Sequence, residues 1–507
     1  MKKRIQKVGI GLFALSIVAC GPQQSSSEEG QPEDSLEEYR PAYHFTPKNG
    51  WMNDPNGLVY LDGTYHLFFQ HNPDDIKWGP MHWGHATSTD LVHWDEQEIA
   101  LFPDSLGTIF SGSAVIDKDN TAGFGANALI AIYTNHSHEI EAEETGLHET
   151  QSIAYSLDQG KTWTKYEGNP VLPNPGIWDF RDPKVMWHSG TEQWIMTLAT
   201  KQSITFYSSK NLKEWERLSE FGEGIGAHGG VWECPDLLKF STDEGDKWVL
   251  LVSINPGGPN TGSATQYFIG DFDGKTFVNE HSDIRWMDYG PDNYAGVTFS
   301  NTEDRKLLIG WMSNWEYAND VPASTWRSGN TVVRELDLAK EGDKWLLTSV
   351  PTSEIDKVSE ITTASKTIEL NNQADLSDDI ASLENSFDVS FNLEKVTGFQ
   401  VELSNEDGDS LLFGYDEGAL QYFIDRSKAG NSSFNERFIH RPIAPRLVQS
   451  ENIDIRFLID RNSIEVFADE GKSNMSALFF TKKSFTNLTI KADDDVSLKD
   501  FQVKAIK

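Results

Sequence analysis

The stretch "STDLVHW" at residues 88–94 decides the fold, because three partial copies of it follow along the chain. The copies are "SLDQGKTW" at 156–163, "SSKNLKEW" at 208–215 and "DFDGKTF" at 271–277, and their closing aromatic residues lie 69, 52 and 62 residues apart. Each copy is a polar turn between β-type runs. Such a period suits four-stranded propeller blades with long loops, and helical periodicity is nearly absent. We therefore predict an all-β fold that begins with a β-propeller.

Short alternating strands beyond a polar connector predict a second all-β domain. "GYDEGALQYFIDRS" at 414–427 indicates a hairpin through Glu417-Gly418, and "IDIRFLIDRNSIEVFADEG" at 453–471 indicates two strands joined at Arg461-Asn462. Short strands at regular spacing are typical of β-sandwiches. We expect the propeller over residues 40–351 and the sandwich over residues 360–507.

The first 39 residues have the composition of an export signal and a tether. Four basic residues precede the apolar run 8–19, which is too short to span a bilayer, so residues 1–19 are predicted to be a signal peptide. The run ends in Ile17-Val18-Ala19-Cys20, which resembles the lipobox of bacterial lipoproteins and predicts lipidation of Cys20. The alternative is an ordinary signal peptide that contains a cysteine. Residues 20–39 are acidic and poor in apolar side chains, which predicts a disordered tether.

These features predict a lipid-anchored, exported protein of a bacterial cell envelope. Gly21 after Cys20 is not the Asp that favours inner-membrane retention, so the outer membrane or the cell surface is expected. The formal net charge of −35 excludes nucleic acid as a partner, whereas binding of a neutral substrate is unaffected. With Cys20 lipidated, only Cys234 remains, and an intramolecular disulfide is excluded.

Three stretches place a carboxylate close to a proline at a strand end. They are "GWMNDPNGLVY" at 50–60 with Asp54, "DFRDPKV" at 179–185 with Asp182, and "VWECPDL" at 231–237 with Glu233. Taken alone, the first is typical of a turn, because Asp-Pro and Asn-Gly are both turn-forming pairs. In a propeller the three carboxylates would belong to different blades and could converge at the central channel. Hydrolysis of a glycosidic bond requires two carboxyls in opposite protonation states.

Eight sequence blocks, in order, resemble glycoside hydrolase family 32, the β-fructosidases that include invertases, inulinases and levanases. The resemblance covers nearly all of residues 41–350, and "NSIEVFADEG" is similar to the family's C-terminal sandwich. It implies a five-bladed propeller joined to a sandwich. The blocks are "HFTPKNGWMNDPNGLVY", "FFQHNP", "WGPMHWGHATSTDLVHW", "IFSGSAV", "FRDPKV", "GGVWECPDL", "DNYAGVTF" and "WMSNWEYANDVP".

The resemblance also implies a role for each carboxylate. Asp54 is similar to the nucleophile, Glu233 to the general acid/base, and Asp182 to the residue that holds the fructosyl hydroxyls and stabilises the transition state. We expect a turn through residues 55–57 to present Asp54. Arg181 is expected to keep neighbouring carboxylates ionised, while the negative charges of Asp54 and Asp182 raise the pKa of Glu233.

Further residues match positions where the family lines its terminal-sugar pocket. Amides and a hydroxyl would bind sugar hydroxyls, and aromatic faces would pack on the ring. Trp311 competes with Trp315 for the role at that position. The predicted substrate-binding residues are Asn53, Gln70, Trp78, Phe110, Ser111, Arg181, Tyr294 and Trp315.

No metal or cofactor is predicted. The histidines at 66, 71, 82, 85 and 93 should be scattered over both faces of their strands, which favours packing over metal binding. "DKDNTAGFGANA" at 117–128 has Ala122 and Ala128 where a calcium loop needs Gly and Glu. Cys234 has no histidine close in sequence and is expected to be a buried packing residue.

The predicted function is that of a retaining β-fructosidase that releases fructose from the chain ends of levan, inulin or sucrose. The blocks "GKTWTKYEGNPVLPNP" and "WMSNWEYANDVP" look most like levanases, which favours levan. Three alternatives stay open: a fructosyltransferase on the same scaffold, a non-catalytic fructan-binding propeller, and a related enzyme acting on arabinose or xylose. The oligomeric state is not predicted.

Overall fold

A computed structural model describes residues 38–507. The predicted signal peptide, Cys20 and all but the last two residues of the predicted tether lie outside the described residues. Among the described residues, no helix has the length and apolar character needed to cross a membrane.

Residues 50–351 of the described chain form five antiparallel sheets, numbered here in chain order. The predicted all-β class is confirmed. The strands are β1 (Gly50–Leu61), β2 (Thr64–Asn72), β3 (His82–Ser88) and β4 (Asp95–Glu96) in sheet 1; β5 (Thr108–Asp117), β6 (Ala128–His136), β7 (Glu149–Ser156) and β8 (Thr164–Lys165) in sheet 2; β9 (Phe180–His188), β10 (Gln193–Thr200), β11 (Ser203–Ser209) and β12 (Glu216–Phe221) in sheet 3; β13 (Val231–Thr242), β14 (Gly245–Asn255), β15 (Ala264–Phe272) and β16 (Phe277–Asn279) in sheet 4; and β17 (Tyr294–Thr298), β18 (Lys306–Trp311), β20 (Arg334–Glu341) and β21 (Lys344–Pro351) in sheet 5.

The repeated motif marks the turn from the third to the fourth strand in sheets 1 to 4. In each turn one Asp or Asn side chain accepts hydrogen bonds from backbone N–H groups two to four residues ahead. Such turns form locally, which explains why the motif recurs with the blade period. The accepting residues are Asp90, Asp158, Asn211 and Asp273.

The first strands of the five sheets contact one another in cyclic order. β1 contacts β5, β5 contacts β9, β9 contacts β13, β13 contacts β17, and β17 contacts β1 again. The short strand β19 (Trp326–Arg327) follows β18 in the chain but pairs in parallel with β1, with Gly50 opposite Trp326. A segment near the end of this region is therefore hydrogen-bonded to its first strand.

The expected turn at Asp54 is wrong, because residues 50–61 form one continuous strand. Its pairing with β2 shifts register between Met52 and Pro55 and again between Asn56 and Val59. A proline is tolerated at such an irregularity, where no ladder N–H is needed, and Gly57 adopts φ +54° there. The turn-forming residues thus produce bulges within a strand.

Residues 359–506 form two further sheets, each of six strands, that pack against each other. Phe413 of one sheet lies 4.8 Å from Phe457 of the other, between ring centroids. Both predicted strand pairs are present, as Ser410–Asp416 with Gln421–Lys428 and as Ile453–Asp460 with Ser463–Ala468. The strands are β22 (Ser359–Leu370), β24 (Phe387–Leu393), β29 (Ile453–Asp460), β30 (Ser463–Ala468), β31 (Ser473–Leu478) and β33 (Val496–Ile506) in sheet 6, and β23 (Gln373–Asp375), β25 (Phe399–Ser404), β26 (Ser410–Asp416), β27 (Gln421–Lys428), β28 (Ile443–Pro445) and β32 (Asn487–Ala492) in sheet 7.

Helices are few and short in the described part of the chain. α1 (His138–Glu141) lies between β6 and β7, and α2 (Ser353–Val358) connects sheet 5 to sheet 6. Short 3-10 turns lie at Ala318–Asp320 and Ser377–Asp379.

Buried charges join the N-terminal sheets to sheet 6. Arg334 of β20 donates to Asp288 over 2.8 Å and, through Nε, to Glu465 over 3.0 Å. His44 bridges Glu465 over 2.8 Å and Asp460 over 2.7 Å. We call these five residues the interface cluster. Asp460 and Glu465 of the C-terminal region thus have charged partners in the N-terminal half of the chain.

Candidate active site

Every first strand of sheets 1 to 5 shifts register near its N-terminal end. The shifts lie at residues 52–55 of β1, 109–112 of β5, 181–184 of β9, 233–236 of β13 and 294–297 of β17. A bulge re-aims the side chains beside it. Asp182 and Cys234 adopt φ +64° and +46° at their bulges, a conformation uncommon outside glycine.

The re-aimed side chains surround a cavity whose volume lies within the usual size range of small-ligand sites. The cavity that contains the predicted site measures about 460 Å³. Every predicted site residue except Tyr294 lines it. The lining residues are Asn53, Asp54, Gln70, Trp78, Phe110, Ser111, His136, His138, Glu141, His148, Glu149, Trp178, Asp179, Arg181, Asp182, Glu233, Asn255 and Trp315.

Asp54 is held in place by donors on three sides. Ser111 Oγ donates to Asp54 Oδ2 over 2.6 Å, and Asn53 Nδ2 donates to Oδ1 over 3.0 Å. Asn53 is itself oriented by the Trp51 indole N–H, which donates to its Oδ1 over 2.7 Å. Cys234 Sγ lies 3.5 Å from Asp54 Oδ2. The carboxylate is therefore fixed in orientation while it faces the cavity.

Glu233 lies between a cation and a phenol. Arg181 donates to Glu233 Oε1 from Nε over 3.2 Å and from a terminal nitrogen over 3.1 Å. The Tyr294 hydroxyl donates to the other oxygen, Oε2. The Glu233 side chain is 20% exposed, toward the cavity. Tyr294 thus belongs to the site by supporting Glu233 from behind.

Asp182 is the most enclosed of the three carboxyls. The backbone N–H of Cys234 donates to Asp182 Oδ2 over 3.0 Å, and the thiol lies 3.7 Å from the same oxygen. The Asp182 backbone N–H donates to Thr134 Oγ1 over 3.1 Å. Cys234 therefore contacts two of the three carboxyls, a placement the sequence did not predict.

Burial and mutual repulsion shift the ionisation of this group. Burial raises the pKa of Glu233, Asp54 raises it further, and Arg181 with Tyr294 opposes the shift. Burial also raises the pKa of Asp182 well above its usual range. Arg181 opposes this rise, and the negative charges of Glu233 and Asp54 add to it. The expected rise at Glu233 is found, with burial as its first cause. Arg181 lowers the pKa of Glu233 and of Asp182, as expected, but one guanidinium does not offset burial together with the neighbouring acids at these two residues.

Cys234 is a thiol rather than a nucleophilic thiolate. Burial raises the pKa of Cys234 well above its usual range, and the carboxyls of Asp182 and Asp54 raise it further. Nucleophilic cysteines have the opposite surroundings, with a lowered pKa beside positive charge.

The predicted pocket residues divide into a polar floor and an aromatic wall. Asn53, Gln70 and Ser111 are buried at the floor, and Gln70 donates to Asn56 Oδ1 over 2.7 Å. Trp78, Phe110 and Trp315 form the wall. Trp78 is 39% exposed, so its face is available to a ligand. Trp311 is fully buried behind Trp315, at 4.8 Å between ring centroids, and does not line the cavity.

Several cavity residues were missed from the sequence. Glu149 accepts from Arg181 over 3.0 Å and from the Phe180 backbone N–H over 2.6 Å. Although burial opposes ionisation, Arg181 and His136 lower the pKa of Glu149 to about 2. Asp179 also accepts from Arg181, over 2.9 Å. Glu149 carries no motif, whereas Asp179 opens the quoted stretch "DFRDPKV", and the dense segment "HSHEIE" at 136–141 was a usable signal for the outer part of the cavity.

Four of the five histidines that the sequence offered as metal ligands contact aromatic rings, whereas the exposed His93 pairs with Asp90. His66 and His85 stack on Phe68, and their ring nitrogens lie 3.0 Å apart. Burial lowers the pKa of His66 to about 4 and that of His85 to about 3, so both are neutral.

Comparison with known proteins identifies the family. The sequence profile described as "Glycosyl hydrolases family 32 N-terminal domain" matches residues 44–349, and "Glycosyl hydrolases family 32 C terminal" matches residues 351–505. The chain belongs to glycosyl hydrolase family 32. It is therefore a glycoside hydrolase, and the family's fold, a propeller followed by a sandwich, agrees with the sheets described above.

Relatives within glycosyl hydrolase family 32 are similar over most of the chain. A levanase of Bacillus subtilis is 42% identical over 525 aligned residues, which cover 100% of this chain and 75% of the relative. An extracellular exo-inulinase of Aspergillus niger is 40% identical over 486 residues, covering 87% of this chain and 89% of the relative. The crystal structure of exo-inulinase from Aspergillus awamori superposes with a TM-score of 0.82 at 35% identity, covering 92% and 98% of the two chains.

Proposed function

We propose that this enzyme is a retaining β-fructosidase that releases fructose from the ends of fructan chains. The observation that carries the proposal is the pair of carboxyls in one cavity with different surroundings. Asp54 accepts hydrogen bonds at both oxygens. Glu233 has a raised pKa and is open to the cavity. One group is suited to attack and the other to donate a proton.

The reaction takes two steps on these residues. Asp54 attacks the anomeric carbon of the terminal fructosyl unit while the glycosidic bond breaks and Glu233 transfers its proton to the leaving oxygen. Once Asp54 is esterified, its negative charge no longer raises the pKa of Glu233. Glu233 then takes a proton from water, the oxygen of which attacks the same carbon and releases Asp54. Two inversions leave the anomeric configuration retained.

The other predicted residues bind the sugar and stabilise charge. Asp182 binds fructosyl hydroxyls and stabilises the positive charge that develops at the sugar ring. Arg181 orients Glu233. The buried polar groups of Asn53, Gln70 and Ser111 bind sugar hydroxyls, and the indoles of Trp78 and Trp315 pack on the ring.

Action at chain ends is supported by the cavity and by the relatives. A volume of about 460 Å³ suits a few sugar units rather than a long polymer segment. The exo-inulinase relatives and the Bacillus levanase are named for two linkages of the same sugar. The two quoted sequence blocks favour levan, so levan is the proposed preferred substrate, with inulin and sucrose as further substrates.

The fold proposal is a five-bladed propeller over residues 40–351 and a sandwich domain over residues 360–507. Cyclic contact of five first strands and the parallel pairing of β19 with β1 support it. The localisation proposal is an exported enzyme anchored through a lipid on Cys20. Relatives named extracellular support export, and the lipobox-like sequence supports the anchor.

A product profile tests the substrate and the mode of action. The untagged chain is incubated with levan, inulin and sucrose, and early products are separated by chromatography, with Glu233→Gln as the matched inactive control. Fructose alone should accumulate first, fastest from levan. Early oligosaccharides would contradict exo-action, and lengthened chains from sucrose would indicate a fructosyltransferase.

The anomeric outcome tests the mechanism independently. Proton NMR of the first-formed fructose should show the retained anomer before mutarotation. Initial release of the inverted anomer would contradict a covalent intermediate on Asp54.

A further inference from the structure

The outer part of the cavity contains a cluster of imidazoles and a carboxylate that the proposed reaction does not use. His136 Nε2 lies 3.1 Å from Glu141 Oε2, and His138 Nδ1 lies 3.3 Å from the same oxygen. The three donor atoms all lie within 4.8 Å of one another. His136 ends β6, and the other two residues open and close α1.

The two separations from Glu141 Oε2 match those of ligands around one small cation. Zinc binds His nitrogen and carboxylate oxygen at about 2.0–2.2 Å in tetrahedral geometry, which separates ligand atoms by about 3.3 Å. A cation placed among the three atoms would therefore need only small side-chain movements. His138 and Glu141 are partly exposed, with side chains 47% and 39% accessible, so a cation can reach them from solvent.

A second carboxylate orients the innermost imidazole. Glu149 Oε1 lies 3.3 Å from His136 Nδ1, and this hydrogen bond directs Nε2 toward Glu141. Zinc-binding histidines usually have such a carboxylate on their other nitrogen, which fixes the tautomer and strengthens the ligand. The neighbouring His148 is buried, and its Nδ1 has no hydrogen-bond partner among the described residues.

We propose that His136 Nε2, His138 Nδ1 and Glu141 Oε2 form a binding site for a divalent cation of the zinc type. Two imidazoles and one carboxylate favour Zn²⁺ over Mg²⁺ or Ca²⁺, which prefer oxygen ligands throughout. Three protein ligands leave a fourth position for water.

The site lies against the wall of the sugar pocket. The His136 ring stacks on Phe110 at 4.3 Å, and the His138 ring meets Trp78 edge-on at 6.2 Å, between centroids. A hydrated cation here occupies the outer cavity, where the leaving-group sugar must lie. Bound Zn²⁺ therefore inhibits cleavage competitively, a consequence that rests on the proposed function, whereas the binding itself does not.

Isothermal titration calorimetry of the untagged chain with Zn²⁺ tests the site directly. Wild type should bind one equivalent. His138→Ala and Glu141→Gln should each weaken binding by at least about 10-fold, the lower bound for disturbing a zinc site. His93→Ala is the matched control, because His93 is an exposed histidine that also pairs with a carboxylate three residues away, and it should leave affinity unchanged.

Two further readouts distinguish metal binding at this site from metal binding to exposed histidines elsewhere. Co²⁺ should give the visible absorption of a four-coordinate complex in wild type and in His93→Ala, and lose it in His138→Ala. Mg²⁺ should produce no heat. Absence of Zn²⁺ binding to wild type, or equal affinity in His138→Ala and His93→Ala, would overturn the proposal whatever the activity shows.

The effect on cleavage is measured afterwards as inhibition relative to each protein's own zinc-free rate. Zn²⁺ should raise KM for fructan in wild type and not in Glu141→Gln. Binding without inhibition would overturn the placement of the leaving-group sugar and leave the site itself intact.

Discussion

The interface cluster and the cavity pair Asp182 and Glu233 are both buried and both rich in acids, yet the pKa values of their acids shift in opposite directions. In the interface cluster, burial opposes ionisation, but Arg334 and His44 lower the pKa of Glu465 to about 2. In the cavity, burial raises the pKa values of Asp182 and Glu233, and Arg181 does not reverse the rise.

The number of donors for each acid explains the difference. Glu465 receives Arg334, His44 and the Val332 backbone N–H, so its charge is fully compensated. Arg181 is divided among Glu233, Glu149 and Asp179. Acids whose charge is fully paired hold the two halves of the molecule together. Acids that outnumber their cations repel one another, so one of them keeps its proton. A glycosidase needs such a protonated acid beside an ionised one.

The largest expected effect is on activity, from Asp54→Asn. The variant should lose at least about 10⁴-fold in kcat, because a neutral amide replaces the nucleophilic carboxylate. Its melting temperature should stay the same or rise, since one of several repelling acids has been neutralised. Steady-state kinetics and calorimetry on the same preparation measure both. A large loss of stability would mean that the cavity acids are compensated like those of the interface.

The next effect is on stability, from Arg334→Met. Removing the cation leaves Glu465 and Asp288 buried without it, and we expect a loss of about 3–5 kcal/mol in the free energy of unfolding. Urea denaturation measures the change. Lys483→Met is the matched control, because Lys483 forms exposed pairs with Glu406 and Asp407, and its replacement should change the free energy of unfolding far less than Arg334→Met does. Equal losses in the two variants would show that the interface cluster contributes no more than a surface pair.

A smaller effect should appear in the pH dependence of stability. Although burial lowers the pKa of His44, its hydrogen bonds to Asp460 and Glu465 raise it to about 9 from 6.5. The folded state therefore binds the proton more tightly, and this contribution is complete below pH 6.5 and is lost as pH rises through about 9. By linkage it amounts to about 3 kcal/mol.

The difference in unfolding free energy between wild type and His44→Gln isolates this contribution. It should be largest below pH 6.5, shrink as pH rises from 6.5 to about 9, and stay constant above that. A difference that is constant with pH, or that grows as pH rises, would show that His44 is neutral in the folded protein.

The smallest effect is expected from Tyr294→Phe. The Tyr294 hydroxyl donates to Glu233 and opposes the rise of its pKa, so its removal should raise the pKa of Glu233 further. We expect kcat to fall about 10-fold, the worth of one hydrogen bond to a charged group. The alkaline limb of the rate profile should move to higher pH. A limb that moves to lower pH would contradict the assignment of Glu233 as the acid.

The parts of this structure that are determined locally could be predicted from the sequence. The turns between third and fourth strands recur because one Asp or Asn side chain suffices to form each. Their spacing is what predicted the blades. Asp54, Asp182 and Glu233, which line one cavity, could be singled out because each lies in its own short block. The bulge at Asp54 was mistaken for a turn, since Pro55, Asn56 and Gly57 suit both, and only pairing with β2 distinguishes them.

The parts that depend on contacts between distant segments could not be predicted. Glu149 meets Arg181, and Glu465 meets Arg334, across separations of 32 and 131 residues. Nothing in the local sequence distinguishes such an acid from one on the surface. For the same reason burial was missed as the first cause of the shift at Glu233.

The most direct test of the assigned roles is to trap the intermediate. Glu233→Ala is mixed with a fructosyl donor whose leaving group departs without protonation, and the protein is digested and analysed by mass spectrometry. The account predicts one added fructosyl unit on the peptide that contains Asp54, released on addition of azide as a retained fructosyl azide. No adduct, or an adduct on another carboxylate, would contradict the account.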